Sequence, residues 1–379
     1  MPSRLFIAIV ITILGLLHAY IGWQILPALP LPFFFKFLGG IWLVGSFFLV
    51  PAGLLSRVIK QQPLADRLAW AGMLAMGFFS SLLLLTLARQ IFLLVVVLTD
   101  MVAPAAAGDS ALLVPLFALA VTVLGFFNAR RVAGVRHVEV PIAGLPLGLV
   151  GFTIAQISDI HVGPTIKGDY LDAIVSKVNH LKVDLVAVTG DLVDGSVEQL
   201  RDHTAPLAKL SARHGAYFVT GNHEYYSNAP AWVAEVRRLG LTVLMNEHVL
   251  LRHSEATMLV AGVTDFSAHQ FDEAQRSDPH AAIKGAPRNI GMKLLLAHQP
   301  RSATAAADAG FDLQLSGHTH GGQFFPWNLF VPMQQPFTAG LNRLKQLWVY
   351  TSRGTGYWGP PKRLLAPSEI THLTLVAAE

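Results

Sequence analysis

The sequence predicts an α/β domain with helices outside its sheets, preceded by four membrane-spanning helices. Three observations point there. Apolar residues make up 53% of the 379-residue chain and charged residues only 14%, with the apolar excess concentrated before about residue 130. An ordinary soluble domain carries roughly a quarter charged residues, so part of this chain avoids water. From about Val135 the pattern changes to short apolar runs alternating with amphipathic segments, as strands and helices taken in turn would require. Finally, five of the strand candidates are each followed by a cluster of Asp, Asn or His. The length favours two units, which the composition divides into a membrane region at 1–130 and a second domain at 131–379.

A bilayer core takes roughly 20 mostly apolar residues per helix, because every backbone polar group must be satisfied inside the helix. Residues 5–26, 37–55, 68–98 and 111–127 meet that requirement. The first is too long for the core of a secretory signal, and no small-residue cleavage pattern follows it. Arg89 interrupts the third, where its long stem is expected to snorkel toward an interface. His18 is an ionisable group inside the first span, expected to pack and hydrogen-bond rather than to mark an ion path. Arg57, Lys60 and Arg67 lie between spans two and three, and Arg130, Arg131 and Arg136 follow span four. The loop between spans three and four holds Asp100 and Asp109 and no basic residue. The positive-inside rule then puts both basic clusters, the N-terminus and the large domain in the cytoplasm, with the chain integral to a membrane.

In the second domain, residues 152–158, 184–189, 216–220, 292–297 and 312–315 read as buried strands. Residues 169–181, 231–239 and 302–307 read as helices between them. Later strands near Val243, Met258, Trp348 and Thr371 lack intervening helices, which points to a second, mixed sheet. The net charge of +4 is small, and Lys and Arg are scattered without a basic run, so no nucleic-acid partner is indicated. With no cysteine, disulfide frameworks, zinc ribbons and thiol nucleophiles are excluded.

The chemistry sits where those strands end. Ser158-Asp159-Ile160-His161 follows the first, Gly190-Asp191-Leu192-Val193-Asp194 the second, and Gly221-Asn222-His223-Glu224 the third. The fourth ends at His298, and the fifth opens Gly317-His318-Thr319-His320-Gly321-Gly322. Loops converge at the carboxyl ends of strands in α/β sheets, and Asp, Asn and His suit divalent Mn, Fe or Zn. A glycine before Asp191, Asn222 and His318 lets the chain turn sharply and approach a metal closely. Singly, each cluster is an ordinary cap or solvated loop; five in succession at strand ends are not.

The series D-x-H, G-D-x-x-D, G-N-H-E, isolated H and G-H-x-H resembles the calcineurin-like metallophosphoesterases, over residues 135–376. The ending Gly354-Thr355-Gly356-Tyr357-Trp358-Gly359-Pro360, with Pro367-Ser368-Glu369-Ile370, is similar to the bacterial membrane-associated branch of that family. The resemblance implies a four-layer sandwich of two mixed β-sheets flanked by helices. It implies two divalent metal ions, of which Asp159, His161, Asp191 and His320 hold the first and Asp191, Asn222, His298 and His318 the second. It also implies hydrolysis of a phosphoester or phosphoanhydride by metal-activated hydroxide. His223 is the expected general acid, and Asp194 matches the carboxylate that orients it and raises its pKa, with Glu224 as the alternative. Phosphoprotein phosphatases carry an arginine where this chain has Gly195, which argues against a protein substrate. Purple acid phosphatases carry a ligating tyrosine where it has Asp194, so two divalent ions fit better than a ferric centre.

Substrate contacts are sought in Arg301, placed to reach a phosphate, and in Tyr225 and Tyr226, placed to stack on a base or to pack. Residues 324–332 are unusually apolar for a loop, either because they enter the core or because they meet the bilayer interface. The expected substrate is a phosphorylated small molecule or a lipid-linked one such as UDP-diacylglucosamine, with a general phosphodiesterase or phosphomonoesterase as the alternative. A sensor or transport bundle with a regulatory phosphoesterase-like domain is the competing class. Oligomeric state and native metals leave no sequence signal.

Overall fold

A computed structural model describes residues 4–59, 61–99 and 106–378. Lys60 and Asp100, both part of the charge bias above, lie outside the described residues. The chain divides into two compact units, residues 1–127 with 359–362, and residues 128–358 with 363–379.

The first unit contains helices α1 (Arg4–Ile25), α2 (Phe33–Leu55), α3 (Leu64–Leu98) and α4 (Ala106–Arg130). All four are long and apolar enough to cross a membrane. Their outward faces are apolar, with Leu5, Phe6, Phe33, Phe48, Ile91 and Phe127 exposed, as expected of surfaces that meet hydrocarbon rather than water. Glycine sets the approach of α2 to α3. A Cβ on Gly72 would stand 2.4 Å from Leu49 O and 2.5 Å from Gly53 Cα, so the two backbones nearly touch. His18 is fully used: Nδ1 lies 2.8 Å from Leu14 O, Nε2 lies 2.9 Å from Ser46 Oγ, and the ring stacks on Phe79. Arg89 departs from the snorkelling expectation. It is buried, and its guanidinium donates to Ser110 Oγ (3.0 Å), Gln24 O (3.2 Å) and Ala107 O (2.9 Å). Carbonyls near the end of α1 and the start of α4 supply the acceptors that an interface would otherwise have to provide.

The second unit runs β1 (Gly134–Ile142), β2 (Thr153–Ile157), α5 (Gly168–His180), β3 (Leu185–Val188), α6 (Val197–Thr204), β4 (Ala216–Phe218) and α7 (Asn222–Tyr226). It continues α8 (Ala229–Arg238), β5 (Thr242–Val243), β6 (Glu247–His253), β7 (Ala256–Gly262), α9 (Pro279–Ile283) and β8 (Met292–Leu296). The last elements are α10 (Ala303–Asp308), β9 (Leu313–Ser316), β10 (Gly340–Leu344), β11 (Leu347–Thr351) and β12 (Glu369–Ala377). They form two six-stranded mixed sheets, in the orders β1-β12-β2-β3-β4-β5 and β10-β11-β9-β8-β7-β6.

Side-chain alternation sorts the layers. On β3, Leu185 and Ala187 join the apolar cluster between the sheets, which also holds Met258, Val260, Leu294 and Leu296. Val186 and Val188 face the other way, onto Leu171, Ile174, Trp232 and Val236 of α5 and α8. On β8, Leu295 packs with Leu259, Ala282, Ala303 and Ala306, against α9 and α10. The result is helices, sheet, sheet, helices: the four-layer sandwich. Residues 134–142 were not expected to be a strand. Their exposed, charged alternation pairs in parallel with β12 along one edge, and without an apolar run that edge position leaves little sequence signal.

Candidate metal centre

Neighbouring strands carry the five clusters to one place. Strands β2, β3 and β4 lie side by side in one sheet, as do β8 and β9 in the other, and in each case the polar cluster begins at the strand's carboxyl end. Cross-links tie the two edges together. Gln156 Nε2 donates to Ser316 O (2.9 Å), His318 N donates to Asp159 Oδ1 (2.9 Å), and His298 Nδ1 lies 2.7 Å from Thr189 O. Close approach is enforced by glycine at Gly317, where a Cβ would fall 2.0 Å from Ser158 Oγ and 2.1 Å from Asp159 Oδ2.

Beside a cluster of His161, Asp194 and His223, two further groups of donor atoms result. Asp159, His161 and His320 form one, with His161 Nε2 3.1 Å from His320 Nε2, and His320 Nε2 3.5 Å from Asp159 Oδ1. Asp191, His298 and His318 form the other, with His298 Nε2 3.2 Å from both Asp191 Oδ2 and His318 Nδ1. Asp191 Oδ2 also lies 3.9 Å from His161 Nε2, so this carboxylate stands between the groups. Asn222 Oδ1 is buried with no hydrogen-bond partner, an arrangement that costs free energy unless something else occupies the lone pair. Five of these residues, Asp159, His161, Asp191, His318 and His320, hold positive φ between 50° and 70°. Left-handed backbone is unfavourable for residues with a Cβ and collects at functional sites.

The donor set fits divalent cations. Burial, with His298 alongside, pushes His318 down to about 3, and burial, His161 and Arg363 hold His320 well below its ordinary value. Both imidazoles are therefore neutral, the form that ligates metal. With Nδ1 turned to Thr189 O, His298 aims Nε2 into the centre, and a hydrogen bond on the far ring nitrogen is how ligating histidines are oriented. Burial would raise Asp191, yet His298 and then His223 hold it well below the carboxylate range. His298 is raised despite burial, chiefly by Asp191. That shift has a proton supplying positive charge where a cation would.

His223 and Asp194 stand beside this centre. Nδ1 of His223 lies 2.5 Å from Asp194 Oδ1, and its Nε2 lies 3.9 Å from Asp191 Oδ2. Burial would raise Asp194, but His161 and His223 depress it strongly. Glu224 serves the backbone instead: it accepts from Asp191 N (3.0 Å), Leu192 N (2.8 Å) and Gly221 N (2.7 Å). It thereby fixes the loop that carries Asp191. Tyr225 is buried, with its hydroxyl donating to Gln275 Oε1 (2.8 Å), whereas Tyr226 is exposed beside His223 at a ring distance of 5.2 Å. Arg301 is exposed, its Nε donating to Gln334 O (2.5 Å), and its charge helps to lower His318.

Sequence reasoning passed over Arg363. It is fully buried, donates to Gly356 O and Ala366 O, and sets its guanidinium 3.1 Å from His320 Nδ1. Nothing in Pro360-Pro361-Lys362-Arg363 distinguishes it from a solvated arginine. Trp358, whose ring stands 5.7 Å from that of His223, lies in a motif used only for the resemblance.

A family model described as calcineurin-like phosphoesterase matches residues 152–322. A transmembrane protein with metallophosphoesterase domain from Danio rerio is 38% identical over 264 residues, covering 68% of this chain and 60% of that protein. The Bos taurus protein of the same description is 40% identical over 268 residues, again 60% of its length. An uncharacterized metallophosphoesterase of Campylobacter jejuni is 32% identical over 383 residues, covering 98% of both chains. Among solved structures, a 5'-nucleotidase precursor from Thermus thermophilus aligns with a TM-score of 0.39 at 13% identity, over 59% of this chain and 54% of its own.

Proposed function

Because this chain belongs to the calcineurin-like phosphoesterase family, we propose that it is a membrane-anchored hydrolase of phosphoesters or phosphoanhydrides, residues 1–130 forming the anchor and 131–379 the hydrolase domain. The observation that carries this reading is the convergence of two donor groups on Asp191, with the Asn222 oxygen left open beside them. Asp159, His161, Asp191 and His320 would hold one divalent ion, and Asp191, Asn222, His298 and His318 the other. Such a pair supplies hydroxide at neutral pH and neutralises the phosphate oxygens that would repel it.

The chain's own residues do the rest. Asp194 holds the Nδ1 proton of His223, which stabilises the imidazolium and leaves the Nε2 proton for the departing oxygen. Glu224 holds the Asp191 loop, and Arg363 packs behind His320. Arg57, Arg67, Arg130, Arg131 and Arg136 favour a cytoplasmic hydrolase domain. A substrate with a lipid portion suits an enzyme tethered to membrane.

The test is a Mn-supplemented panel of nucleotide-linked lipids (UDP-diacylglucosamine included), simple diesters and monoesters, run on the full chain in detergent. At least one class should be hydrolysed, and Asp191→Asn should abolish that turnover. Hydrolysis that survives Asp191→Asn, or none by the wild type on any class, rejects the reading.

A further inference from the structure

The apolar loop after the last cluster neither enters the core nor forms a featureless surface. It folds into two short 3-10 turns, Trp327–Leu329 and Val331–Met333, anchored at their start by buried Phe324. Beyond that anchor Phe325, Trp327, Leu329, Phe330 and Met333 are 43%, 51%, 59%, 51% and 79% exposed. Trp327 and Phe330 lie 5.9 Å apart, ring to ring. The turns are held in place: a Cβ on Gly322 would fall 2.2 Å from Asn328 Cα, so the backbone of the loop is pressed onto the His320–Gly322 turn.

Single exposed apolar residues are normal on a soluble surface. Five within nine residues, two of them large aromatics in contact, mark a contact surface. We propose that residues 325–333 seat in the headgroup region of an anionic bilayer, as a second contact of this chain with the membrane besides its spanning helices.

Three observations select the bilayer as the occupant. Trp and Phe beside aliphatic residues are what the interface favours, since their rings reach the acyl boundary and the Trp indole N–H stays among the headgroups. Charge agrees: residues 325–334 contain no Asp or Glu. Arg301 adds its guanidinium at Gln334, the residue after the second turn. A surface free of acids is not repelled by anionic lipid, and each exposed base is attracted. The chain also carries four helices of membrane-spanning length. A tether makes the second contact intramolecular, so a modest apolar surface suffices to keep it engaged.

The absence of cysteine makes the test direct. Nitroxide labels are placed one at a time through Leu329→Cys, Met333→Cys and, as a control in the exposed turn between β6 and β7, Glu255→Cys. The full chain is reconstituted in vesicles of phosphatidylcholine and phosphatidylglycerol. Collision rates are then measured with oxygen, which concentrates in lipid, and with a water-soluble nickel complex. At 329 and 333 the ratio of oxygen to nickel accessibility should exceed that at 255 several-fold. A ratio equal to the control places the loop in water and overturns the proposal. Low accessibility to both reagents overturns it too, by showing a second copy or another protein over the surface. Neither readout depends on turnover, so the result is separable from the fate of the hydrolase reading.

Discussion

Five proposed ligands in left-handed backbone are the most unusual residue-scale feature of this molecule. Each costs on the order of 1–3 kcal/mol, and the surrounding fold holds them there through glycine contacts and the Glu224 carboxylate. Asp194 offers a separable role. It is positioned to hold His223, and it groups with His161 and His223, apart from the Asp191, His298 and His318 group. Asp194→Asn should lower kcat by about 10²–10⁴-fold while leaving the bound metal unchanged, as metal analysis of the purified variant would show. Loss of metal in proportion to activity would make Asp194 a ligand and remove the general-acid assignment. The ligand types were legible because Asp, Asn and His recur after successive strands. Arg363 was not, since what sets it apart is complete burial behind His320. Tyr225 and Tyr226 were read alike, as stacking or packing residues, because which of them faces His223 depends on the short α7 turn.

At the scale of elements, apolar strands were readable, the edge strand β5 near Val243 included, and edge strands rich in exposed polar residues were not. β2, β3, β8 and β9 appear as apolar runs, whereas β1, β6 and β10 mix exposed polar residues into weak alternation. Helix pairing in the membrane region was equally silent, because glycine contacts depend on crossing geometry. Gly72→Leu should force α2 from α3 and destabilise the full chain by about 1–3 kcal/mol or more, seen as a lower thermal midpoint in detergent. An unchanged midpoint would mean that the helices do not cross there.

The loop before β4, where His214 Nε2 lies 3.0 Å from His253 Nδ1 of β6, carries a pH effect. His214 is held below its ordinary value by burial, then by His253 and Arg213. Its unfolded pKa is about 6.5, so the unfolded chain binds the proton more readily. Stability from this group is full above about pH 6.5 and is lost as pH falls through the lower folded value. The thermal midpoint of His214→Gln should therefore fall less than that of wild type on acidification below about pH 6.5. Parallel curves would remove His214 from the acid response.

At the scale of the whole molecule, composition set the apolar N-terminal part apart and the run pattern pointed to α/β structure; four helices of membrane-spanning length and two mixed sheets are present. What composition could not supply was the meeting of β2, β3 and β4 with β8 and β9, which requires two sheets packed with their carboxyl ends together. That meeting is the central claim, because it turns scattered side chains into one candidate metal centre. The most direct measurement is the divalent metal content of the purified full chain by mass spectrometry, wild type beside Asp191→Asn. The wild type should retain about two ions per chain, and the variant should lose both or nearly both. Equal metal content in the two proteins, or a wild type that binds none when Mn, Fe and Zn are supplied, would contradict it.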